Sequence, residues 1–114
     1  MEIIKNLSYN EFIALLLTYT AKSDNDFDIN ERYMLTKKVD FEDLKKAETM
    51  IRSLDKDQIM EIIKEAYSYF SKDKVKKVQI YSDLEEIINS DGFVHENELE
   101  ILNTLKEFDK SIHN

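Results

Sequence analysis

The sequence predicts an all-α fold, a compact bundle of about six helices around a central helix, and three observations lead there. The first is turn chemistry: 114 residues hold one glycine and no proline, so few positions can break a helix or close a tight turn. The second is spacing. Apolar residues recur at three- and four-residue intervals along most of the chain, and no stretch carries the signal of a strand. The third is repetition: Ala21 to Glu31 and Ile87 to Leu99 share one design of helix, acidic loop, one apolar residue, polar cap and helix. That repetition predicts two matching helical hairpins.

The elements follow in order. Ser8-Tyr9-Asn10-Glu11 has the spacing of a capping box and starts helix one. Phe12, Ile13, Leu15, Leu16, Leu17, Tyr19 and Ala21 make that helix apolar nearly all round, which predicts the central helix. Upstream, Ile3, Ile4 and Leu7 fit a short lead-in turn. Asn30 is the expected cap of a short helix two through Tyr33, Met34 and Leu35 to about Lys38. Asp40 caps helix three, with Leu44, Ala47, Ile51 and Leu54 on one face. Asp55 or Asp57 caps helix four, whose stripe is Ile59, Ile62, Ile63, Ala66, Tyr67 and Phe70; Tyr69 points away from it. Ser71 is the expected cap of helix five, with Val75, Val78, Tyr81, Leu84 and Ile88 inward and the lysines outward, ending at Asn89. His95 or a neighbour caps helix six, which buries Leu99, Ile101, Leu102, Leu105, Phe108 and Ile112 before a fraying tail from Ser111.

This length and a hydrophobic share of 42% predict a single domain over residues 1–114 with one core. No cysteine is present, which removes disulfides, thiolate metal sites and cysteine nucleophiles. The net charge of -8 disfavours nucleic acid and anionic lipid, whose phosphates draw affinity from lysine and arginine. The basic run Lys72 to Lys77 is interrupted by Asp73 and reads as a solvated helix face. The apolar run Phe12 to Leu17 is too short to cross a bilayer and lacks the flanks of a signal peptide, so a cytoplasmic protein is expected.

Carboxylates on loops between helices raise calcium, which takes about six to eight oxygen ligands. With Gly92 at the sharp turn of such a loop, Asn89 and Asp91 fall at ligand positions and Glu98 at the bidentate one, but the first position is Ile87, which has no side-chain oxygen. The same register in the first loop puts Lys22 first and Tyr33 last. A standard EF-hand pair is therefore not expected. Two readings stay open: a non-standard divalent site, or acids that serve only the helix starts, with Glu96 and Glu98 favoured by the dipole of helix six and Asp28 and Glu31 by that of helix two.

At these residues the chain resembles the tellurite-resistance TerB-like family, itself similar to the N-terminal domain of the DjlA co-chaperones. The likeness rests on the apolar helix that runs into an acidic loop, Leu15 to Asp28, and on Ile88-Asn89-Ser90-Asp91-Gly92-Phe93-Val94-His95-Glu96-Asn97-Glu98-Leu99. It implies an all-helical domain with a central helix and two such loops, a stress-response setting, and acidic residues that bind a metal ion. Carried over position by position, the implied ligands are Asp24, Asp26, Asp28 and Glu31 from the first loop and Asp91, Glu96 and Glu98 from the second. The first loop departs from the pattern in lacking a glycine and in having Tyr33 where the family has an acid.

No catalytic residues are expected. Neither His95 nor His113 has a second histidine spaced for zinc, and no serine lies in a glycine-flanked elbow. The expected function is a non-enzymatic module that binds another protein and has a cation-sensitive acidic face. The alternative is a sensor or buffer of calcium or magnesium using carboxylates of both loops, with a metal-assisted hydrolase third.

Overall fold

Ser8 opens the first helix as its spacing predicts: the Glu11 backbone amide donates to Ser8 Oγ at 3.1 Å, and the Ser8 amide donates to Glu11 Oε1 at 2.8 Å. Glu11 serves twice, because Lys46 Nζ reaches its other oxygen at 2.6 Å and ties the start of this helix to a neighbour. The computed structural model describes residues 7–23, 29–90 and 96–113, with residues 29–31 described by backbone alone. Among the described residues there are six helices and no strand: α1 (Tyr9–Lys22), α2 (Ile29–Lys38), α3 (Phe41–Ser53), α4 (Lys56–Phe70), α5 (Lys74–Ile88) and α6 (Glu96–Ile112). Ser8→Ala is expected to lower stability by about 1 kcal/mol, the usual worth of an N-cap, with the shift read in the midpoint of urea unfolding at unchanged m-value.

The chain turns without proline because aspartates and backbone caps do the work. Asp55 caps α4 in a capping box with Gln58. Asp73 caps α5 by accepting from the amides of Val75 and Lys76. Asp40 occupies the N-cap position of α3 but makes no side-chain cap bond. Two expected caps are corrected. Ser71 closes α4 instead of opening α5, its amide donating to Tyr67 O at 2.8 Å. Asn30 lies inside α2, which already begins at Ile29.

The central helix is α1. Every residue from Phe12 to Thr18 is buried, and α1 packs against each of the other helices. An apolar circumference has no solvent side to spare, so the helix can only sit where neighbours enclose it. The stripe of α4 is buried as its spacing predicts, from Ile59 to Phe70. Leu35 of α2 is fully buried, while Tyr33 is exposed. The radius of gyration is 13.1 Å.

Three expected inward positions are also corrected. Val75 and Val78 are 78% and 69% exposed, because the inward stripe of α5 is Ile80, Asp83, Leu84, Ile87 and Ile88. Leu99 is partly exposed, since Glu98, Ile101, Leu102 and Leu105 form the inward stripe of α6. The end of α6 is held: the helix continues to Ile112, and His113 Nε2 lies 2.9 Å from Ser71 Oγ. No described helix is long and apolar enough to cross a membrane.

Candidate functional site

The end of α1 and the start of α6 meet. Ser23 closes α1, Asn97 lies in the first turn of α6, and Asn97 Nδ2 donates to Ser23 O at 3.2 Å across 74 residues of sequence. The flanks of both acidic loops are therefore joined. Beside that junction lies a groove of about 610 Å³ between the ends of α1 and α3 and the starts of α4 and α6, with Tyr19, Ile51, Leu54 and Ile101 on its walls and Asp57 and Glu100 at its edge. Burial first, then the negative charges of Asp57 and Glu100, raise the pKa of Tyr19, so its hydroxyl stays protonated.

Of the sequence-predicted ligands, Asp24, Asp26, Asp28 and Asp91 lie outside the described residues, and Glu31 is placed only as a backbone position in α2. Glu96 is exposed at the start of α6. Glu98 is fully buried in the first turn of α6. Its place on the inward stripe was readable, since it precedes Ile101, Leu102 and Leu105 by three, four and seven residues. Among the described residues no three of His, Asp and Glu gather closely enough to hold a metal ion.

The same stripe logic locates two further inward acids. Asp83 shares the buried face of α5 with Ile80, Leu84 and Ile87 and accepts from Lys38 Nζ at 3.0 Å and from Gln79 Nε2 at 2.9 Å. Lys38 also pairs with Glu86 at 3.0 Å. Burial by itself favours the neutral amine, but the bonds to Asp83 and Glu86 outweigh it and hold the Lys38 pKa above its usual value. This cluster fastens the end of α2 to α5.

Asp109, in line with Leu102, Leu105 and Ile112 on α6, is the hub of a larger network. It accepts from Tyr67 Oη at 2.8 Å and from Lys77 Nζ at 2.7 Å. Tyr81 Oη lies 2.7 Å from Tyr67 Oη. A phenol has one proton, and Tyr67 gives its own to Asp109, so Tyr81 donates to Tyr67 and the proton chain runs one way. Burial first, and with it the donation to the Asp109 carboxylate, push the Tyr67 pKa far above the usual phenol value. For Asp109, burial raises the pKa, but the bonds from Lys77 and Tyr67 overcome it and leave the carboxyl below its ordinary value.

Ser71, His113 and Asp109 adjoin one another, yet they are not arranged for nucleophilic catalysis. One imidazole nitrogen, Nε2, faces both Ser71 Oγ at 2.9 Å and Asp109 Oδ1 at 3.7 Å. A triad needs the acid on one ring nitrogen and the nucleophile on the other, so that the ring can take the serine proton while the acid orients it. Ser71 is moreover buried, out of reach of substrate. The network is therefore a fastening of α4, α5 and α6.

No family model, curated protein or solved structure matches this chain.

Proposed function

We propose that the chain is a non-enzymatic, TerB-like helical module that binds another protein through the end of the bundle where α1 ends and α6 begins. The observation that carries this reading is the Asn97–Ser23 bond, which joins the flanks of the two loops. In sequence, Asp24, Asp26 and Asp28 follow one side of that junction and Asp91 precedes the other, on a chain whose net charge is -8, and acids of this density suit a lysine- or arginine-rich segment of a partner. Association would then weaken with salt, as rim electrostatics do. The resemblance supplies the stress-response setting. Neutralising Asp24, Asp26 and Asp91 to Asn tests the reading: it is abandoned if every partner recovered by the parent chain is recovered equally by the variant.

A second reading, divalent-cation sensing, is favoured by the full burial of the Glu98 carboxylate at the head of α6, directly after the second loop. Calcium or magnesium added to metal-free protein is expected to raise its melting temperature and to move the amide resonances of Ser23, Asn97 and Glu98 together. A ligand specific for the native state adds about 2.7 kcal/mol at a hundredfold excess over its Kd. A titration that stays flat into the millimolar range removes this reading and leaves the protein-binding one standing.

A further inference from the structure

The outward face of α5 carries an exposed valine and two charged residues that the packing leaves to solvent, beside the ring of Tyr81, whose hydroxyl is held by Tyr67. Lys74, Val78, Tyr81 and Glu85 follow one another at intervals of four, three and four residues, the seam spacing of helices that pair along their length. They line a shallow groove of about 830 Å³, with Lys77 and Ser82 at its sides. Val78 is 69% exposed on this seam and Val75 beside it is 78% exposed, although β-branched apolar side chains gain nothing from water. The charges are ordered, with lysine at the start and glutamate at the end. Lys77 is engaged with Asp109 and Glu86 with Lys38, whereas among the described residues Lys74 and Glu85 have no ion-pair partner.

We propose that this face pairs with the same face of a second copy of the chain, the two α5 helices antiparallel about a two-fold axis passing between Val78 and Tyr81. That register sets Lys74 of each copy against Glu85 of the other and Val78 against Tyr81. It also satisfies the requirement of an isologous contact, in which a residue and its partner exchange places across the axis. Parallel copies would oppose lysine to lysine and glutamate to glutamate. The charge order thus selects both the occupant and its direction. Small Ser82 next to the seam lets the helices approach closely. Because a single helix of 15 residues supplies the contact, the interface falls at the small end of specific interfaces, and the dimer forms at roughly micromolar to sub-millimolar concentrations.

Sedimentation equilibrium of the full chain tests this with Lys74→Glu, Glu85→Lys and the double variant. The parent is expected to pass from monomer to dimer as concentration rises. Each single reversal places two like-charge pairs in the symmetric contact and is expected to weaken dimerisation about tenfold. The double variant restores opposite charges and recovers the parent behaviour, and an equimolar mixture of the two single variants forms a mixed dimer. Both positions face water, so far-UV circular dichroism melts of all variants should coincide. A parent that stays monomeric into the millimolar range overturns the proposal. So does a dimer indifferent to the single reversals, or a double variant that fails to recover.

Discussion

Leu16→Ala is expected to lower stability by about 3–5 kcal/mol. Leu16 is fully buried in the central helix, enclosed by neighbours with no solvent-facing side toward which they could relax, so the loss comprises both the transfer of the removed atoms and the cavity left behind. A domain of this size is held by about 5–15 kcal/mol in total, so this one substitution removes a large share. The melting temperature should fall by roughly 10–20 °C. Calorimetry checks it; a fall of only a few degrees would mean that α1 is not enclosed as described.

The second large effect lies at Asp109. Asp109→Ala leaves the buried Tyr67 hydroxyl without its acceptor and Lys77 without its counter-charge, and is expected to cost about 3 kcal/mol. The figure stays below that of a fully dry pair because the Lys77 side chain is 33% exposed and keeps some water. Asp109→Asn retains an acceptor for Tyr67 and should cost less. The pH dependence separates charge from packing. The native pKa of Asp109 is depressed, so the unfolded chain binds its proton first on acidification. Its contribution is therefore present above the unfolded value, about 3.9, and disappears as the pH falls through the lower native value. Asp109→Asn should be less stable at neutral pH and should converge toward the parent in acid. Parallel stability curves for the two proteins from neutral pH down to about pH 2 would refute the role given to the charge.

The fold was legible in the sequence to a considerable depth. The Ser8 capping box, the all-round apolarity of α1 and the stripe of α4 are local patterns, and a helix expresses them wherever it is placed. The errors have equally physical causes. Val75 and Val78 looked inward because apolar residues are ordinarily buried, yet the inward arc of α5 is set by Ile80, Leu84 and Ile87, and the two valines fall outside it. The sequence reads Glu98 as an acid of the helix start or a metal ligand, and Asp83 and Asp109 lie inward as it does. Their spacing placed them inward, but what could compensate their burial was written on other helices: Lys38 for Asp83, and Lys77 and Tyr67 for Asp109. Of the candidate site, the composition of the loops was readable, whereas the meeting of their flanks at Ser23 and Asn97 was not.

By itself, then, the sequence determined the helical class, the central place of α1, most helix limits and the acidity of the two loops, because each depends on neighbours within a turn or two of the chain. Only the tertiary structure decided which cations and hydroxyls answer the inward acids, and that the end of α1 and the start of α6 meet. Those outcomes depend on groups 32 to 74 residues apart, and no local periodicity encodes which distant helix faces which.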